Sequence, residues 1–163
     1  LDKFETVNLE FINNIKNKKV CLDIGHVRFI EHFSKQYLIN FFKNGNLVQL
    51  NNNVAPLLFE RLQIENEFEL FDLLDLDLLV ITKGKKGASF IFKENDEFVC
   101  VDKSPEVIAE VVDSSGAGDA FFATVIKEYA YADKIDKNFI SHTFDIANKA
   151  SRDVIGQLGS RRN

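Results

Sequence analysis

Asp113-Ser114-Ser115-Gly116-Ala117-Gly118-Asp119 lies between a short apolar run, Ile108 to Val112, and a helix-patterned stretch, Ala120 to Tyr129. The order is strand, small-residue turn, helix, the building unit of a sheet with helices packed on it. A turn of small residues at a helix start leaves several backbone N–H groups without intrahelical partners. Those donors sit at the positive end of the helix dipole and can hold an anion such as a transferring phosphoryl group. Glycine at 116 and 118 lets a ligand approach the backbone with no Cβ in the way. Asp119 then puts a carboxylate on the rim of an anion site, where its natural work is to accept a proton from an attacking hydroxyl. The plainer alternative is a glycine-rich turn whose Asp119 only complements the helix dipole.

Upstream of this turn the chain alternates between strand and helix patterns. Asn8 to Lys16 is helix-patterned, Val20 to Ile24 is a short buried-type strand, and Phe29 to Lys43 carries Phe33, Tyr37 and Phe41 at helical spacing. Leu47 to Leu50 is another strand, Ala55-Pro56-Leu57 opens a short helix, and Phe68 to Leu74 makes a further one before the strand Leu78 to Thr82. Strands joined by crossover helices predict a mostly parallel sheet covered on both faces. Ala88 to Phe92 and Phe98 to Val101 flank Glu94-Asn95-Asp96 and predict a β-hairpin. Ile108 to Val112 returns to the sheet, and helices near 118–131 and 138–155 close the chain. No repeat or linker interrupts it, so residues 1–163 are expected to form one domain.

Composition excludes several functions. The 163 residues are 45% hydrophobic and 28% charged, an ordinary globular balance. Twenty basic against 25 acidic residues give a net charge of −5 without a basic block, so neither nucleic acid nor a membrane surface is an expected partner. No apolar run approaches a membrane span and no secretory signal pattern opens the chain, so the expected location is the cytoplasm. Cys21 and Cys100 sit in strand-like runs and read as buried thiols, not as a metal or disulfide pair. The chain has no methionine and begins at Leu1, which suggests a fragment of a longer protein.

Thr82-Lys83-Gly84-Lys85-Lys86-Gly87-Ala88 follows the strand Leu78 to Ile81, where ligands of open α/β sheets collect. Two glycines three apart make a loop that can lie against phosphates, and Thr82 offers a hydroxyl. Lys83 or Lys85 would share charge with a triphosphate; otherwise these are solvated turn lysines.

Together these segments resemble the PfkB, or ribokinase-like, carbohydrate kinases. Their signature is usually Asp-Thr-Thr-Gly-Ala-Gly-Asp followed by a small or apolar residue and Phe. Ser114 and Ser115 keep the hydroxyls, Phe121 fits, and Thr82 to Gly87 is similar to the family's Thr-x-Gly-x-x-Gly nucleotide loop. The resemblance covers the C-terminal half of such kinases and implies a three-layer α/β/α ribokinase-like fold. It implies transfer of the ATP γ-phosphate to a hydroxyl of a sugar or nucleoside. Asp119 would be the base, with the N–H groups of Gly116, Ala117 and Gly118 as anion hole. Thr82, Gly84 and Gly87 would bind the nucleotide. Asn51 would match the first residue of the family's Asn-x-x-Glu, whose Glu helps organise Mg²⁺. Val54 stands where that Glu is expected, and Glu60 or another acid could have taken its role.

Asn148, within Ala147-Asn148-Lys149-Ala150, would line the adenine side of the pocket or else face solvent. Asp113 and Ser115, with the loop Gly156 to Gly159, would hold a monovalent cation such as K⁺. Asp23 to Arg28 is similar to a run in which the family often shows Asp-x-Asn-x-Arg, with Gly25 replacing the Asn, and His26 is given no role. The family's sugar-contacting residues and lid lie mainly in the N-terminal half, so this fragment alone is expected to be inactive, while the full-length protein could form a homodimer. Two alternatives stand beside the kinase. One is a degenerate homologue that binds nucleotide or a partner, suggested by Val54; the other is a nicotinamide-nucleotide repair dehydratase of the same fold.

Overall fold

The computed structural model describes residues 18–105 and 115–155. Five strands form one sheet in the order β1-β2-β3-β4-β5. They are β1 Cys21–Ile24, β2 Leu47–Asn51, β3 Leu78–Thr82, β4 Ala88–Glu94 and β5 Glu97–Lys103. β1, β2 and β3 pair in parallel, β4 is antiparallel to β3, and β5 is antiparallel to β4. Four strands therefore point one way, and only β4 is reversed. Its return to β5 is a two-residue loop in which Asn95 and Asp96 have φ of 53° and 65°. Both residues are left-handed, a geometry that matches the strand twist and that Asn and Asp tolerate.

Strand alternation divides the sheet's side chains between two cores. Val48, Leu50, Leu79, Ile81 and Ile91 pack on one face with residues of α1 (Val27–His32), α2 (Lys35–Phe42), α3 (Val54–Leu62) and α4 (Glu67–Leu74). Leu47, Leu78, Val80, Phe90 and Phe92 pack on the other face with α5 (Ala117–Ala130) and α6 (Lys137–Ile155). A fully buried Leu, Ile or Phe contributes about 1.5–3 kcal/mol, and both faces are lined by such residues. The result is the three-layer α/β/α arrangement expected from the sequence.

The departures have local causes. The single helix expected from Phe29 to Lys43 is two helices, because Phe33 is extended and Ser34 caps α2, its Oγ accepting from Tyr37 N at 3.2 Å. The Phe33 ring still stacks on Tyr37, with centroids 4.3 Å apart, which preserves the helical spacing of aromatics across the break. Cys21 is only half-buried and Cys100 is exposed, contrary to the reading of both as buried thiols. Among the described residues Cys100 lies on the edge strand β5, where most positions are exposed or half-buried. The stretches 8–16, 108–112 and 156–159 lie outside the described residues.

At its C-terminal end α5 is tied to the rest of the fold. Tyr129 is buried, and its hydroxyl donates to the Asp77 carboxylate just before β3. The Lys19 ammonium lies 4.2 Å from the centre of the Tyr129 ring and 3.5 Å from the Tyr129 carbonyl oxygen, at the negative end of the helix. Burial first, and Asp77 second, push the Tyr129 hydroxyl far above its ordinary range, so it remains a donor.

Candidate active site

The C-terminal ends of β1, β2 and β3 lie side by side, with Ile24 opposite Leu50 and Asn51 opposite Thr82. Asn51 joins the loops that leave them. Its Nδ2 donates to the Gly25 carbonyl at 2.7 Å, while its Oδ1 accepts from Asn53 N at 2.9 Å and Val54 N at 3.0 Å. The side chain thus caps the start of α3 and fastens the β1–α1 loop to it, a scaffolding task. Val54 is fully buried in the core under α3. A glutamate there would be drawn into apolar surroundings, at the cost of desolvating its charge. The missing acid therefore leaves no gap at the surface.

The loop after β3 closes on itself. Thr82 Oγ1 donates to the Leu50 carbonyl at 3.4 Å, and Lys83 N donates to the Gly87 carbonyl at 2.7 Å around the 3-10 turn Gly84–Lys86. Gly84 has φ +57° with open space where a Cβ would stand. Gly87 has φ +92°, and a Cβ there would lie 1.8 Å from the Lys103 carbonyl oxygen of β5. Glycine at 87 is required by packing as well as by dihedral. Lys83 is also committed: its ammonium donates to Asp102 at 2.7 Å, and Ser89 donates to the same carboxylate oxygen. Those two hydrogen bonds, Lys83 first, hold the Asp102 carboxyl below its ordinary range. Of the two lysines considered for phosphate, Lys85 is exposed and has no hydrogen-bond or ion-pair partner among the described residues.

The turn before α5 is built differently. Gly116 has φ +78° and precedes the first helical residue; as the N-cap it brings no side chain to the helix start. Its carbonyl accepts from Ala120 N at 2.9 Å, so the first intrahelical bond leaves the N–H groups of Ala117, Gly118 and Asp119 ahead of the hydrogen-bonded ladder. A Cβ on Gly118 would meet nothing within 4 Å among the described residues. Asp119 is exposed in this first turn. Phe121 and Phe122 anchor the helix by entering the core behind it. Ser115 is exposed and precedes the turn, whereas Asp113 and Ser114 lie outside the described residues. Asn148 is half-buried on α6, beside the fully buried Ala147.

One residue beyond the motifs, Gln49, joins Asp23 at this edge. Gln49 stands opposite Asp23 in the β1–β2 register, and its Nε2 donates to Asp23 Oδ1 at 3.2 Å. Desolvation pushes the Asp23 carboxyl above its ordinary range, Gln49 pulls it back, and the negative charge of Asp119 raises it again. The available sequence signal was Gln49 itself, a polar residue within the otherwise apolar run Leu47 to Leu50. His26 caps α1 through Nδ1, accepting from Arg28 N at 3.1 Å. A cavity of about 360 Å³, lined in part by Lys19, Asp77, Lys93 and Tyr129, lies at the opposite end of the sheet.

A family model described as pfkB family carbohydrate kinase matches residues 63–163, which contain both glycine turns. The chain belongs to the pfkB family. This pfkB chain is 28% identical over 123 residues to the nucleoside kinase of Methanocaldococcus jannaschii, covering 74% of the chain and 37% of that protein. It is 27% identical over 127 residues to the ATP-dependent 6-phosphofructokinase of Thermoanaerobacterium thermosaccharolyticum, covering 74% and 38%. Its fold matches that of an uncharacterised sugar kinase of Pyrococcus horikoshii in complex with ATP, with a TM-score of 0.74 and 21% identity over 98% of the chain and 49% of the kinase. The pfkB chain thus spans well under half the length of the curated relatives it matches.

Proposed function

We propose that the chain is the nucleotide-binding and catalytic part of an ATP-dependent phosphotransferase acting on a hydroxyl of a sugar or nucleoside. The observation that carries this reading is the glycine-led first turn of α5, where a Cβ on Gly118 meets no described residue and Asp119 is exposed at the rim. A hydroxyl oxygen of the acceptor attacks the γ-phosphorus of ATP, its new O–P bond forming as the bond to the β,γ-bridging oxygen breaks. ADP leaves and the hydroxyl proton passes to Asp119. The N–H groups at Gly116, Ala117 and Gly118 stabilise charge on the transferring group, since such transfer depends on positioning and electrostatics. The loop Thr82 to Gly87 flanks the phosphates, with Lys85 as a cation that has no partner among the described residues, and Asn148 of α6 borders the base.

Magnesium fits this arrangement as an ion carried on triphosphate oxygens and water. Among the described residues no group of three or more His, Cys, Asp or Glu side chains converges to cage a metal. When bound, the ion neutralises charge between the phosphates.

The test is ADP release by the whole protein with ATP, Mg²⁺ and a panel of sugars and nucleosides. Asp119→Asn should lower turnover by about 10²–10³ while ATP binding persists. Undiminished turnover in that variant would sink the mechanism. Nucleotide binding without turnover on any acceptor would instead mark a homologue that has lost catalysis.

A further inference from the structure

We propose that Asp102 is a positioning residue for the nucleotide loop: it holds the Lys83 ammonium on the β4–β5 hairpin and so fixes the turn from Thr82 to Gly87. This rests on the phosphotransferase reading above and adds to it a residue that touches no substrate.

Lys83 is the first residue past β3, yet its ammonium bonds to β5, two strands away in the order β3-β4-β5. Neighbouring strands lie about 4.8 Å apart, so the lysine and the aspartate together close a gap of roughly 10 Å. The strand between them supplies Ser89, which is 5% exposed and stands opposite both Ile81 of β3 and Asp102 of β5. Its hydroxyl donates to the same Asp102 oxygen that Lys83 reaches. One carboxylate oxygen thereby joins three strands. An ion pair between two flexible surface side chains fixes little. Here the acceptor is itself held by a buried hydroxyl, so the lysine meets a partner already in place.

The two residues after Asp102 grip the same loop. The Lys103 carbonyl oxygen lies against Gly87, and Ser104 Oγ donates to the Lys86 carbonyl at 3.2 Å. Residues 102 to 104 thus meet the turn near its start, at its end and just before that end. Gly84 and Lys85, between these fastenings, are exposed, and a Cβ on Gly84 would meet nothing within 4 Å among the described residues. The part of the turn left for a ligand is therefore framed by the parts that β5 holds. Among the described residues Asp102 is the one hydrogen-bond partner of the Lys83 ammonium. Without it the first fastening is lost, and the loop must be ordered again each time a nucleotide binds, at a cost in affinity. Asp119 stands on α5, so the transfer step itself is left alone.

The experiment measures ADP affinity by calorimetry, and kcat and KM for ATP, in the whole protein and in Asp102→Ala, Lys83→Met and the double variant. Asp102→Ala should weaken ADP binding about three- to fivefold, the reach of one exposed ion pair, and raise KM for ATP to match while kcat changes less. Lys83→Met should do the same, and the double variant should lose no more than either, as the two ends of one contact require. A much larger loss in Lys83→Met, adding to that of Asp102→Ala, would show that the lysine binds phosphate directly and would overturn the inference. So would ADP binding in Asp102→Ala that is unchanged or tighter, whatever happens to its melting temperature. If the unsubstituted protein binds ADP but transfers no phosphate, the kinase reading fails, yet the ADP titrations still decide the role of Asp102. A protein that binds no ADP overturns both.

Discussion

The loop from Thr82 to Gly87 is closed on itself, whereas the turn before α5 is left open, although both carry paired glycines suited to phosphate. In the first, one glycine is spent on packing: Gly87 lets the loop lie against the Lys103 carbonyl, and Lys83 is tied to Asp102. In the second, Gly116 supplies the left-handed entry to the helix, and a Cβ on Gly118 would meet nothing among the described residues. One turn has used its glycines to build a wall; the other has kept a glycine for access. A glycine pattern alone does not distinguish the two, because the deciding atom belongs to a strand elsewhere in the fold.

Substitutions at these glycines should separate the roles. The largest effect is expected at Gly87→Ala, where a methyl group must displace β5 from a backbone already at φ +92°. Urea denaturation should report a loss of about 3 kcal/mol or more. A near-neutral result would show that the loop can lift off the hairpin and would erase the contrast. Gly118→Ala should do the opposite, gaining about 0.5–1 kcal/mol because alanine favours the helix and meets no neighbour. Its phosphoryl transfer should nonetheless fall by about tenfold or more as the methyl group intrudes on the anion site. Activity rising with stability would mean that the open face is not where phosphate docks.

Asp102→Asn should have the smallest effect. The Asp102 side chain is 70% exposed, so solvent screens its pair with Lys83 and the stability change at neutral pH should stay below about 1 kcal/mol. The sign follows from Lys83 and Ser89 holding the Asp102 carboxyl below its ordinary range. Their contribution is present above the ordinary carboxylate range and is lost as pH falls through the lowered value. Thermal melts of the two proteins should therefore converge on acidification. A gap that widened in acid would show that Asp102 is not the partner holding the loop.

Much of the architecture was legible in the sequence because it follows from period and punctuation. Near-continuous apolar runs in β2 and β3, separated by helix patterns, predict a sheet covered on both faces, and Asn95-Asp96 predicts the reversal of direction. Gly116 to Asp119 predicts a glycine-led helix start, and α5 begins at Ala117. What escaped depends on contacts distant in sequence. Ser34 divides a helix that aromatic spacing presents as continuous, because the cap overrides a pattern that runs through it. Cys100 is exposed because its strand is the last in the sheet, which the apolar run Phe98 to Val101 does not reveal. The pairing of Gln49 with Asp23 required the register between two strands 26 residues apart in sequence.

The anchored far end of α5 bears on the opposite end of that helix. Ten residues separate Tyr129 from Asp119, about 15 Å along the axis at the usual rise. A tilt of only about 2° about a loose C-terminus would swing the first turn by about 0.5 Å, the tolerance within which a reacting constellation has to be held. The Tyr129–Asp77 hydrogen bond and the Lys19 clamp thus act as the pivot of a lever, setting the aim of a carboxylate that they never approach.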